Sequence, residues 1–256
     1  NKYSIADYEG WSDPEKVDLI KGNNQVISGT YDNYKALKEF VRSHDLAEDP
    51  EALQTVLDWV DVDNYFDFMI FEIYFGNTDA GNIKFYRRQA EGEKWRWCLF
   101  DMDWGYFMSN TNGCKVWLDP KGAGDKDFDN WLILALLEVP EMKEKFLTRF
   151  GQLFQETLSD TDRIWAEAQK MAAIIQPELL FHYNRWSSEN NKWITEEPTS
   201  PEANYTYWES RMKRLNNVLK KRPNLCWGYI RDWFGMTDAE MERYFGPQPV
   251  MPDDVQ

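Results

Sequence analysis

The stretch GNTDAGNIKFYRRQAEGEKWRWCLFDMDWGYF, from Gly76 to Phe107, holds the residues best able to do chemistry. Asp79 and Asn82 stand before NIKFYRR, which alternates as a strand does. Asp101 and Asp103 follow KWRWCLF, which alternates in the same way. The Gly-containing turn Glu91-Gly92-Glu93 between the two runs predicts a β-hairpin. A hairpin returns the chain to its start, so these carboxylates and amides can meet in space. Magnesium takes such hard oxygens as ligands, usually one or two carboxylates with substrate phosphates completing the shell. Asp101 and Asp103 also sit among Leu99, Phe100 and Trp104. Carboxylates in apolar surroundings are seldom without a partner. The competing reading is a solvated acidic loop.

Composition narrows the chemistry further. The chain has 256 residues, 43% hydrophobic and 16% aromatic, enough to bury a sizeable core. Its formal charge is −15, and no long Lys/Arg run offers a nucleic acid the basic patch it needs. Apolar runs such as Trp131–Leu137 are too short to span a bilayer. The cysteines, Cys98, Cys114 and Cys226, form no CxxC, and His44 and His182 are the only histidines. This argues against a His/Cys zinc site and against a Ser-His-Asp hydrolase.

The elements that must position the acids are legible around them. KVDLIKG (16–22) reads as a brief strand ending at a turn. Tyr34, Leu37, Phe40 and Val41 recur at helical spacing, with Lys35 and Glu39 as an outward i,i+4 pair. Pro50 opens a helix, and Asp61 caps another that runs to about Phe75 and stops at Gly76. That last helix is apolar nearly all round and is expected at the centre of the fold. Residues 109–130 read as a long irregular loop. Helices are expected over 129–138, 141–157, 160–183, 203–221, 224–233 and 237–244, punctuated by Pro140, Pro177 and Pro223. DVDNYFD (61–67) and DKDFDN (125–130) lack the central Gly of a calcium loop and read as a cap and a loop. His182 reads as a helical histidine rather than a base.

A helix, a loop with Asp and Asn, a hairpin and a further Asp is the order found in protein-kinase C-lobes, and DWG at 103–105 is similar to the Asp-Phe-Gly signature. Asn77-Thr78-Asp79 with Asn82, IKFYRR and KWRWCLFDMDWGYF together resemble the spore-coat CotH kinase family. VDVDNYFDFMIFEIYFGN upstream, and FLTRF, RPNLCWGYI and FGM downstream, extend the resemblance over about residues 17–245. It implies a metal-dependent phosphotransferase that moves phosphate from ATP, with Mg²⁺ or Mn²⁺, to a protein Ser/Thr. Asp79 is then the catalytic-loop Asp and Asn82 a metal ligand. Asp101 or Asp103 is the metal Asp: the strand end favours the first and DWG the second. The family also implies a bacterial, secreted or spore-surface setting, outside the cytoplasm.

The expected architecture is mostly α (α+β), a kinase-like C-lobe helical bundle with a small central β-hairpin. Residues 1–246 form this lobe and the Pro-rich, acidic 247–256 a linker within a multidomain protein. A kinase also needs an N-lobe with a phosphate-binding Lys paired to a Glu. Here only Lys2, Lys16 and Lys21 precede the first strong helix, under no Gly-rich loop. The N-lobe is therefore expected to be missing from this stretch, and the stretch alone to be inactive. A noncatalytic binding or structural module on the same lobe is the alternative. A glycan-active enzyme using the DxD for a sugar nucleotide would need a parallel sheet, which the pattern does not offer.

Overall fold

The computed structural model describes residues 1–106, 110–121, 130–186 and 200–252. Helix α1 (Lys2–Glu9) is capped by the Asn1 side chain and ended by Gly10 in the left-handed region. Strands β1 (Val17–Lys21) and β2 (Gln25–Ser28) pair antiparallel across a short turn. Helices α2 (Asp32–Ser43), α3 (Pro50–Trp59) and α4 (Val62–Phe75) follow. Each of the last two begins where an aspartate caps it. Asp49 accepts from the Glu51 and Ala52 amides, and Asp61 from that of Asn64. Strands β3 (Lys84–Arg88) and β4 (Arg96–Cys98) make the expected hairpin.

That hairpin is half of a larger sheet. The order is β2-β1-β3-β4, antiparallel throughout, with Leu19 opposite Tyr86 and Lys21 opposite Lys84. One face, carrying Ile20, Phe85 and Trp97, packs into the main core. On the other, Val17, Leu19 and Tyr86 pack with Ile5 of α1, Trp11 and Cys98. Alternation along the strands sends successive side chains to opposite faces, so one short sheet serves two clusters.

Helix α4 runs through the centre, with Phe66, Phe68, Met69, Ile70, Ile73 and Tyr74 all buried. Against it come α5 (Gly113–Leu118) and α7 (Pro140–Leu153), while α6 (Trp131–Glu138) packs on α2 and α7. Then follow α8 (Thr161–Ile175), α9 (Leu179–Trp186), α10 (Pro201–Phe234) and α11 (Asp238–Phe245). Phe146 and Phe150 are fully buried, Trp131 nearly so, and Leu134 packs at the margin.

The sequence reading needs correction at several points. Residues 113–118 are helical, and Cys114, Trp117 and Leu118 are buried beside α4 rather than looped out. Pro223 does not divide a helix: α10 continues through it, because Val218, Leu219, Cys226, Trp227 and Ile230 around it are all buried. Helix 160–183 breaks at Pro177 into α8 and α9, and neither holds a buried residue. DKDFDN lies, but for Asn130, outside the described residues, as does the end of the 247–256 tail.

Candidate active site

Three devices fix the segment between α4 and β3. Gly76 ends α4 at φ 63, and its N–H bonds back to the helix. The Asn77 carboxamide oxygen accepts from the Asp79 amide at 3.1 Å, an Asx-type turn, while the Asn77 carbonyl accepts from Trp117 Nε1 at 2.9 Å. The Asn82 amide then bonds to the Asp79 carbonyl at 3.2 Å. A loop held by a buried Asn and a buried Trp presents Asp79 and Asn82 from a rigid base.

The hairpin carries Asp101 back to this loop. Asn82 Nδ2 donates to Asp101 Oδ2, and Asn82 Oδ1 is buried with no hydrogen-bond partner. Asp101 adopts φ 56, ψ 51, a left-handed conformation that non-glycine residues enter only at a cost. Asp103 lies one turn on, exposed, and no hydrogen bond joins it to Asp79, Asn82 or Asp101. Of the two candidate acids, the structure therefore brings Asp101 to Asn82. Gly105 of the DWG has a steric reason: a Cβ there would lie 2.8 Å from the Met102 carbonyl oxygen and 3.2 Å from Phe75 Cβ.

Asp79 and Asn82 form one wall of a cleft of about 460 Å³. The opposite wall is the β1–β2 turn, with Lys21, Asn24 and Gln25. Gly22, at φ 58, ties that turn down by donating to the Ile83 carbonyl at 3.0 Å. The cleft is polar on both sides. Among the described residues no three His, Cys, Asp or Glu side chains gather as a metal cluster. The oxygen set present is Asp101 with the free Asn82 Oδ1. It suits a hard cation that draws its other ligands from water or a substrate, and does not suit a closed protein cage.

Sequence reasoning missed two groups beneath the loop. Glu72, in the last turn of α4, is fully buried and neither carboxylate oxygen has a hydrogen-bond partner. Burial pushes its carboxyl up to about 8 from an ordinary 4.5. The nearby Asn77 amide opposes that shift without reaching hydrogen-bond geometry, and the Asp79 charge adds to it. Its signal in the sequence was a lone acid in the apolar run FMIFEIYF. The other group is Arg222, 1% exposed. Its guanidinium donates to the carbonyls of Tyr74, of Ile73 at 2.8 Å and of Thr111 at 2.6 Å. It thereby caps the negative end of α4 and ties α10 to the site. The sequence carried no local signal for it, because its partners lie more than 100 residues away.

Compared with known proteins, the chain matches the family described as CotH kinase protein over residues 3–226. No curated protein and no solved structure matches it.

Proposed function

The chain belongs to the CotH kinase protein family, and on that premise we propose that it transfers the terminal phosphoryl group of ATP to a Ser or Thr hydroxyl of a protein. The observation that carries the reading is the cleft in which Asp79 and Asn82 stand together, with Asn82 bonded to Asp101 and its carboxamide oxygen free. Asp79 is the base. The acceptor oxygen bonds to the γ-phosphorus as the bond from that phosphorus to the β,γ-bridging oxygen breaks. ADP leaves with the electron pair, and the hydroxyl proton goes to the Asp79 carboxylate. A base so placed contributes roughly 10²–10⁴-fold.

Asn82 Oδ1 and the Asp101 carboxylate would hold a Mg²⁺ or Mn²⁺ ion, which when bound supplies positive charge to the phosphate oxygens. In this reading the left-handed backbone of Asp101 is strain retained to aim its carboxylate, and Asp103 is a surface residue. Asn77 positions the base by fixing the Asp79 amide. The protein acts in an extracytoplasmic setting, on a protein substrate. Nucleotide-induced thermal stabilisation tests the reading. MgATP raises the melting temperature of the full-length protein, EDTA removes the rise, and Asp101→Asn lacks it. A rise that survives both EDTA and Asp101→Asn would remove the metal-linked nucleotide site.

A further inference from the structure

We propose that Glu72 is a positioning residue for the base: its neutral carboxyl leaves the Asn77 side chain on the Asp79 amide, and loss of its proton draws that side chain away and lowers transfer. The inference rests on the phosphotransferase reading above. Glu72 stands in the last turn of α4, fully buried beneath the loop that carries Asp79. Its carbonyl accepts from the Asn77 amide at 3.2 Å, which ties the loop to the same turn. Neither of its carboxyl oxygens has a hydrogen-bond partner. A buried neutral carboxyl tolerates that far better than a buried carboxylate does. The arrangement is the one that suits a protonated Glu72.

Asn77 makes the protonation state matter. It is buried, and its carboxamide faces two ways. Oδ1 accepts from the Asp79 amide at 3.1 Å, and Nδ2 points to the Met102 sulfur at 3.8 Å. A thioether is a weak acceptor, so that N–H is loosely held. Among the described residues, the Asn77 amide is the one side-chain donor that acts on the Glu72 carboxyl, and Asp79 the one charge. Cations on the elements packed against α4 are engaged elsewhere. Lys145 and Arg149 of α7 pair with Asp63 and Asp67, Arg96 of β4 pairs with Asp61, and Arg222 of α10 bonds backbone carbonyls. Lys115 of α5 is exposed. An ionised Glu72 therefore has a single donor to turn to. The carboxamide is planar, so swinging Nδ2 onto the carboxylate takes Oδ1 off the Asp79 amide and releases the Asx-type turn. The new charge also repels Asp79. Both effects displace the base, and a misplacement of about 1 Å costs on the order of 10²-fold.

The pH profile of phosphoryl transfer by the full-length protein, wild type against Glu72→Gln, tests the assignment. The Glu72 carboxyl titrates at about 8, so its neutral fraction falls about tenfold between pH 7 and pH 9. The ratio of Glu72→Gln to wild-type kcat is expected to rise by about tenfold over that range, with KM for MgATP unchanged. A carboxylate base only gains in ionisation as pH rises, so Asp79 itself gives no such fall. In ¹⁵N-labelled protein the Asp79 amide resonance is expected to titrate with a midpoint near pH 8 in wild type and to stay fixed in Glu72→Gln. A merely structural Glu72 would move the melting temperature and neither of these readouts. A flat kcat ratio from pH 7 to pH 9, or an Asp79 amide that titrates identically in both proteins, overturns the inference and leaves the phosphotransferase reading in place. If wild type transfers no phosphate at any pH, the inference falls together with the reading it rests on.

Discussion

Replacing Glu72 by Gln should stabilise the protein, and by an amount that grows with pH. The carboxyl is fully buried, unpartnered, and raised from 4.5 to about 8. Between those two values the folded state holds a proton that the unfolded state has released. Stability contributed by this group is therefore complete below about pH 4.5, falls as pH rises through the window, and levels off above about pH 8. At 1.36 kcal/mol per tenfold change in proton affinity, the loss across the whole window is on the order of 4–5 kcal/mol. Gln keeps the shape and cannot ionise. The stability difference between Glu72→Gln and wild type should thus widen by roughly 3–4 kcal/mol between pH 5 and pH 8. Urea unfolding of both proteins across that range reads it directly, since all other titrating groups are common to the pair. Because the Asp79 charge contributes to the shift, Asp79→Asn should narrow the window from its alkaline side. A difference that stays flat from pH 5 to pH 8, or a Gln variant that becomes the weaker protein at pH 8, refutes the reasoning.

Arg222→Met should destabilise by about 3–5 kcal/mol, because it leaves the carbonyls of Ile73, Tyr74 and Thr111 without their charged donor in a buried setting. Chemical denaturation would show it as a lower midpoint, and a change under about 1 kcal/mol would remove the capping role. Gly113→Ala should destabilise by roughly 1–3 kcal/mol or more, since a Cβ there would lie 2.0 Å from the Ile73 carbonyl oxygen and must push α5 off α4. A wild-type melting temperature would contradict that close approach. Lys35→Ala should change stability by less than about 0.5 kcal/mol, because Lys35 and Glu39 meet at 3.8 Å with both side chains over 60% exposed.

Local rules reached what local chemistry decides. Asp61 and Gly76 bracket α4 as cap and stop, Pro50 opens α3 behind Asp49, and alternation in IKFYRR and KWRWCLF yields β3 and β4. The hairpin alone let Asn82 meet an acid beyond β4 but left Asp101 and Asp103 both open, and the structure brings Asp101. What sequence spacing did not reveal depends on contacts distant along the chain. The pairing of β1 with β3 makes a sheet out of an expected hairpin, and it alone places Lys21 across the cleft from Asn82. Helix α5 is only 6 residues long and sits in a Gly- and Asn-rich stretch; its burial against α4 overrides that composition. Pro223 is tolerated for the same reason, with core packing outweighing one lost backbone hydrogen bond. Glu72 was visible as a charge in an apolar helix, yet its isolation is a property of the packed loop above it.

The central claim is that Asp79, Asn82 and Asp101 form a phosphoryl-transfer site. Transfer of the labelled γ-phosphate of ATP to protein, measured side by side for full-length wild type and for Asp79→Asn, Asp101→Asn and Asp103→Asn, tests it most directly, with thermal melts on the same samples. The account predicts that wild type labels its substrate and that Asp79→Asn and Asp101→Asn lose labelling by about 10²-fold or more with their folds intact, while Asp103→Asn stays near wild type. Full labelling by the Asp79 and Asp101 variants, or loss confined to Asp103→Asn, would contradict it.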